Sequence, residues 1–201
     1  MRTPRTCWRG YAGSLLVIAL VLSGCSGDDK NDKSDDKPTP TPTPTAEAPA
    51  PVAVDARIGV VRGRLRSKQR TPLVKDVAKV VDDWFEAAYL AGSYPRRDFG
   101  AAFPGFTAGA ARQAKGDRKF MSNAGIGTRI DGAEARAKVV RVDVLAGNKL
   151  PAAVTARFRL VFRTSGEYQR RITIDGRLFL TRGKERRWRI FGYDVTKGVE
   201  K

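Results

Sequence analysis

The stretch Val154-Thr155-Ala156-Arg157-Phe158-Arg159-Leu160-Val161-Phe162-Arg163 alternates between two kinds of side chain. A β-strand points successive side chains to opposite faces. Val154, Ala156, Phe158, Leu160 and Phe162 therefore share one face, while Thr155, Arg157, Arg159, Val161 and Arg163 share the other. The pattern repeats downstream. Ile172, Ile174, Leu178 and Leu180 alternate with Arg171, Thr173, Asp175, Arg177 and Phe179. Trp188, Ile190 and Gly192 alternate with Arg189, Phe191 and Tyr193 after a loop around Gly183. Upstream, Glu134 to Leu145 reads as a strand with a phase slip. Ala135, Ala137 and Val139 lie on one face, then Val140, Val142 and Val144 on the other, which predicts a β-bulge and a bent sheet. The last third is thus an antiparallel sheet with one apolar face and one face rich in arginine.

The middle third is helical. Leu73, Val77, Val80, Val81, Trp84, Ala88 and Ala91 fall on one face at helical spacing. Thr71 suits the N-cap, Pro72 the first helical position and Gly92 the left-handed C-terminal position. Lys75, Lys79, Asp82, Asp83 and Glu86 form the opposite, solvated face. Asp98 to Phe103 accommodates one or two further turns. Thr107 caps a short helix through Ala114, stopped by Gly116, and Asn123 to Gly127 is loop. The expected fold class is α+β: an N-terminal amphipathic helix and short helices packed on a bent antiparallel sheet.

The N-terminus reads differently. Arg2, Arg5 and Arg9 precede an apolar run from Ser14 to Leu22, which leads into Leu22-Ser23-Gly24-Cys25. A transmembrane helix needs roughly 20 apolar residues, more than this run supplies. The tetrapeptide resembles the lipobox of a bacterial lipoprotein signal. That resemblance implies cleavage after Gly24, lipid on Cys25 and a domain anchored to the exterior face of the cell membrane. Residues 25–54 are a linker, first Asp/Lys-rich, then Pro38-Thr39-Pro40-Thr41-Pro42-Thr43-Pro44-Thr45. Alternating proline favours extended polyproline II, and at about 3.1 Å per residue the linker reaches roughly 90 Å. The division is therefore 1–24 signal, 25–54 linker and 55–201 globular domain.

Composition narrows the chemistry. The chain has no histidine and two cysteines, Cys7 in the signal and Cys25 at the lipid site. A Ser-His-Asp triad, a Cys-His pair and histidine-ligated metals are excluded, and the domain has no thiol for a disulfide. No cofactor or metal site is expected, since Asp82, Asp83 and Glu86 sit among lysines. The linker is acidic, with six acidic and three basic residues. Residues 55–201 hold 32 basic and 15 acidic residues. Such a surplus points to an anionic partner: lipid headgroups, a wall polymer or an envelope protein. No nucleic-acid-binding motif is present. Arg62, Arg64, Arg66, Lys68 and Arg70 occupy every second position. They form either a basic stripe on one strand or a solvated leader into the first helix.

A long amphipathic helix, a broken helical pair and a meander of long strands resemble the cone-shaped fold of ketosteroid isomerase, nuclear transport factor 2 and SnoaL-like proteins. Gly176-Arg177-Leu178-Phe179-Leu180-Thr181 and Arg187-Trp188-Arg189-Ile190-Phe191-Gly192-Tyr193-Asp194-Val195 resemble its closing strands. Small exported actinobacterial-type lipoproteins share this layout. The resemblance implies a pocket between helices and sheet, for which Tyr89, Tyr94, Asp98 and Tyr193 are the candidate polar groups. The leading expectation is a non-catalytic binding module with Arg62, Arg64, Arg66, Arg157, Arg159 and Arg177 as anion-binding candidates. The alternative is a small-molecule pocket or a histidine-free isomerase or hydratase.

Overall fold

The computed structural model describes residues 51–183 and 185–200. Leu22, Ser23, Gly24 and Cys25, with the signal and the linker through residue 50, lie outside the described residues. The elements in chain order are β1 (Asp55–Arg62), α1 (Ser67–Phe85) and a π-helical turn (Glu86–Leu90), then α2 (Ala108–Gly116) and α3 (Arg118–Met121). They are followed by β2 (Gly132–Gly147), β3 (Leu150–Ser165), β4 (Arg171–Arg182) and β5 (Trp188–Glu200). The strands form one open five-stranded sheet in sequence order. β2 to β5 pair antiparallel, and β1 runs parallel to β2. The domain is α+β. No helix of the described residues is long and apolar enough to cross a membrane.

The alternating stretches decide which side of the sheet is covered. Val154, Ala156, Phe158, Leu160 and Phe162 are all buried, as are Ile172, Ile174, Leu178 and Leu180. They form one core with Leu73, Val77, Val81, Trp84 and Phe85 of α1. Trp84 is its centre. Its ring lies 5.3 Å from Phe158, 5.5 Å from Tyr89 and 6.1 Å from Phe106. Its indole N–H donates to the Met121 carbonyl at 3.3 Å. An aromatic cluster of this kind contributes both area and edge-to-face contacts, and it fixes α1 against β3.

Several expectations are corrected. Of the two readings of the segment before the first helix, a strand or a solvated leader, the structure has a strand over Asp55–Arg62 and a leader from Gly63 on. The strand's alternation is broken by a register shift between Ile58 and Val61, which hides the period-two signal. The basic stripe is consequently split: Arg62 ends β1, Gly63 turns the chain at φ 85°, and Lys68 and Arg70 ride on α1. α1 starts at Ser67 rather than beside Pro72, because buried Leu65 anchors the entry. A proline in the second turn forfeits one ladder bond and keeps a helical φ. Ala91 lies past the helical run and is exposed, while Gly92 takes the left-handed φ of 103°. Asp98 to Phe103 forms turns instead of helix. The Thr107 cap is present, its hydroxyl accepting from the Ala110 N–H at 3.4 Å.

Register shifts sit in β2 at Ala135/Ala137 and Leu145/Ala146, and between β4 and β5 at Phe179/Leu180. A bulge is present in β2 as expected, but it lies at Ala135/Ala137 rather than between Val139 and Val140. It rephases β2 so that Lys138 joins Val140, Val142 and Val144 on the core face. The last adds a residue at Phe191. Tyr193 is thereby moved off the arginine face and packs against the core, whereas alternation alone placed it with Arg189.

Candidate functional site

The four pocket candidates are distributed over three places. Tyr89 is fully buried, and its hydroxyl donates to the Phe120 carbonyl at 2.6 Å. The Tyr94 hydroxyl donates to the Tyr89 carbonyl at 3.0 Å, and Asn123 donates from Nδ2 to the same carbonyl at 2.8 Å. Asn123 Nδ2 also approaches the Tyr94 hydroxyl at 3.3 Å. These two side chains thus terminate the π-helical turn by satisfying a carbonyl that a helix end leaves open. Burial pushes both phenols above the ordinary tyrosine range; at Tyr94 the Asn123 hydrogen bond offsets part of the rise. Tyr193 donates to Asp117 Oδ2 at 2.7 Å on α2's C-terminal side. Burial, then Asp117, raises its pKa. Asp98 is exposed and accepts from the Gly100 N–H at 2.7 Å. The structure brings Tyr89 and Tyr94 together and leaves Asp98 and Tyr193 apart from them.

Asp82 and Glu86 stand at the edge of the solvated face, partly exposed, and reach back to a buried lysine. They hold Lys138 Nζ at 2.9 and 2.5 Å. The bulge in β2 turned that lysine inward, and Asp82 near the end of α1 and Glu86 at the start of the π-helical turn meet it. Burial pulls the Lys138 ammonium down, but the Asp82 and Glu86 hydrogen bonds outweigh it and leave the group above the ordinary lysine range. Asp83 pairs with Lys79 instead.

The arginine candidates separate into two groups. Arg157 and Arg177 belong to a row that crosses four strands: Arg57 opposes Arg141, Arg141 opposes Arg157, and Arg157 opposes Arg177. Like charges directly opposite repel. Each member of the row has a carboxylate beside it. Asp55 meets Arg57 at 2.9 Å and Arg141 at 3.1 Å. Asp143 grips Arg157 with both oxygens, at 2.7 and 3.0 Å. Asp194 faces Arg177 at 3.8 Å. Arg159, one row away, opposes Asp175 across β4. Asp143 also accepts from the Val60 N–H at 2.8 Å. Gly59 makes room for it, since a Cβ there would collide with the carboxylate. Hydrogen bonding to Arg157 holds the Asp143 carboxyl below the usual range, and Arg141 does the same for Asp55.

Arg62, Arg64 and Arg66 belong to the second group. The Arg66 N–H donates to the Lys149 carbonyl at 3.5 Å, which seats the leader against the β2–β3 turn. A cavity of about 370 Å³ joins the start of α1 to Pro151, Arg182 and Arg186 at the β4–β5 turn. One end of the domain therefore gathers Arg62, Arg64, Arg66, Lys68, Arg70, Lys149, Arg182 and Arg186, with Arg62 at its border, where it also lines a groove on the outer sheet face beside Asp143, Arg157 and Arg177. All eight are exposed. Among the described residues none of the eight has a carboxylate within 4.0 Å. Sequence reasoning missed Lys149, Arg182 and Arg186 because they come from turns distant in the chain. The Gly147-Asn148-Lys149 hairpin turn, with φ of 51° and 63° at Asn148 and Lys149, was the available signal.

Fold and site define an α+β domain whose sheet face carries an arginine row flanked by carboxylates and whose adjoining end is basic. No protein-family model, curated protein or solved structure matches this chain.

Proposed function

We propose that this is a cell-envelope lipoprotein, anchored through Cys25, whose domain docks its basic end onto an anionic envelope surface and performs no catalysis. The observation that carries the reading is the segregation of charge. Eight cations with no carboxylate within 4.0 Å among the described residues share one end, while the row Arg57, Arg141, Arg157 and Arg177 on the sheet face has carboxylates beside it and leaves only Arg159 and Arg163 of that face's β3 arginines without one. Each basic residue near an anionic surface contributes about 1 kcal/mol, and a cluster of eight is enough for reversible docking without a pocket. The Pro/Thr-rich linker supports this by giving the anchored domain reach and freedom to turn. The β-bulges support a sheet curved into a cone-like form around α1. That the Tyr89, Tyr94 and Tyr193 hydroxyls are all engaged within the protein favours the docking reading over an isomerase-like pocket.

The test uses the full chain carrying Cys25→Ala, so that no lipid is attached. Co-sedimentation with phosphatidylglycerol and phosphatidylcholine vesicles and with purified cell wall is followed across a salt series. Selective pelleting with an anionic surface that weakens steeply between low and physiological salt is expected. Equal pelleting on charged and neutral vesicles, with none on wall, overturns the reading.

A further inference from the structure

The basic end is not wholly polar. Among the described residues six large apolar side chains stand exposed: Val60, Phe120, Leu145, Leu150, Phe191 and Val199. Four of the six, Val60, Leu145, Leu150 and Phe191, gather beside the basic end, each between 45 % and 55 % exposed. Each sits near a cation of that end. Val60 lies two residues before Arg62, and Leu145 opposes Arg62 across β1 and β2. Leu150 follows Lys149 in the β2–β3 turn. Phe191 packs on Phe179, ring centroids 6.4 Å apart, and Phe179 stands three residues before Arg182 on β4. Val60, Leu145 and Phe179 line a groove of about 430 Å³ on the outer sheet face, which Arg62, Arg157 and Arg177 also line. Asp143, the carboxylate in that groove, is already gripped by Arg157 at 2.7 and 3.0 Å, so it offsets little of the positive field. Apolar side chains left together in water are unfavourable, and such patches mark contact surfaces.

The mixture of groups decides among partners. A wall polymer offers anions but no apolar phase for Leu145 or Phe191. A second copy of the domain would cover the apolar residues, but it would bring the same cations up against each other, and like charges across an interface cost several kcal/mol. A bilayer with anionic headgroups satisfies both halves. Its phosphates meet the cations at the hydrated surface, and the acyl boundary lies roughly 5–10 Å below for the apolar side chains. Long arginine and lysine side chains reach the phosphates while their stems lie along the apolar part. We infer that Val60, Leu145, Leu150, Phe179 and Phe191 insert into the headgroup–acyl boundary of an anionic lipid bilayer, with the basic end as their electrostatic collar. The inference rests on the docking reading and names a lipid bilayer as the surface docked on. Insertion adds a contribution to binding that salt does not screen.

The test reads pelleting and depth. The full chain carrying Cys25→Ala is mixed with phosphatidylglycerol vesicles, phosphatidylcholine vesicles and purified cell wall, at low salt and at about 1 M salt, where the Debye length shrinks to about 3 Å. Pelleting on phosphatidylglycerol should fall at high salt yet stay measurable, whereas pelleting on wall should vanish. Leu145→Ser with Phe191→Ser replaces two side chains that are more than half exposed, so the core stays intact. The pair should lose about tenfold in affinity for phosphatidylglycerol vesicles with the salt slope unchanged, less than full burial of one such side chain is worth. Depth is read with a nitroxide on Phe191→Cys in a chain also carrying Cys7→Ser and Cys25→Ala. With phosphatidylglycerol vesicles that label should lose contact with an aqueous nickel relaxant and gain contact with oxygen. A label on Glu167→Cys, in the β3–β4 turn at the other end, should stay in water. A vesicle-bound protein whose Phe191→Cys label stays in water, or an unchanged affinity of the double variant, overturns insertion and leaves electrostatic docking standing. So does pelleting on wall without pelleting on vesicles. Absence of pelleting on every anionic surface overturns docking and insertion together. Equal pelleting on both vesicle types overturns the docking reading, and the depth of the Phe191→Cys label then decides insertion by itself.

Discussion

The outer face of the sheet and the end formed by the α1 start and two β-turns are both rich in arginine, yet they present different fields. On the sheet, Arg57, Arg141, Arg157 and Arg177 stand across neighbouring strands, and Asp55, Asp143 and Asp194 stand beside them. At the end, eight cations have no such partners among the described residues. The contrast teaches that arginine content alone does not locate a docking surface. A row of like charges on a sheet must be neutralised for the sheet to hold. Cations on exposed turns and helix surfaces stay solvated, so the fold tolerates them without a counterion.

Two lysines carry the same contrast into the interior, and they give the largest expected effects on stability. Lys138 is nearly buried between two carboxylates. Lys138→Ala should destabilise the domain by about 2–3 kcal/mol in urea unfolding, because Asp82 and Glu86 are then left facing each other. Since its folded pKa is raised, this stabilisation is present below the unfolded lysine value and disappears as pH climbs through the folded one. Among the described residues Lys197 has no carboxylate within 4.0 Å. Its Nζ makes two long contacts of 3.4 Å to the Lys119 and Ser122 carbonyls. Burial pulls its pKa down to about 8 from 10.5. Between those values the unfolded chain holds the extra proton, so stability rises with pH. Lys197→Met should stabilise the domain by about 1 kcal/mol at neutral pH and flatten that rise.

Asp143 offers a way to break the contrast. Asp143→Asn removes the bidentate partner of Arg157 and should cost about 0.5–1 kcal/mol of stability. Its lowered carboxyl pKa contributes stability above the unfolded carboxylate value, lost as pH falls through the folded one, so the variant should be less acid-sensitive. Combined with Asp55→Asn and Asp194→Asn, it should turn the sheet face into a second anion-binding surface. Increased pelleting on phosphatidylglycerol vesicles, by severalfold at low salt, would show it.

Much of the fold was legible because alternation and burial obey the same geometry. Phe158, Leu160, Ile174 and Leu178 could be assigned to the core from period two alone, and Trp84 from its place on the helical stripe. The failures share a cause. A bulge changes the phase of everything beyond it, so Lys138 and Tyr193 landed on unexpected faces. β1 could not be told from a leader because its own register shift interrupts eight residues that have little room for a pattern. The basic end was half legible. Arg62, Arg64 and Arg66 are adjacent in sequence, whereas Lys149, Arg182 and Arg186 join them only when two hairpins return to the same end. Which arginines carried counterions was not readable at all, since Asp143 lies 14 residues from Arg157 and Asp55 lies 86 residues from Arg141.

The most direct measurement compares two triple variants on phosphatidylglycerol vesicles, each in the full chain carrying Cys25→Ala. One is Arg64→Gln, Arg66→Gln, Arg70→Gln. The other is Arg157→Gln, Arg159→Gln, Arg177→Gln. At about 1 kcal/mol per cation, the first should lose about a hundredfold in affinity and somewhat under half of the salt dependence, three of the eight cations being gone. The second should stay within about threefold of the parent, because two of its three arginines are already neutralised. Equal losses from both, or a larger loss from the sheet-face variant, would contradict the assignment of docking to the basic end.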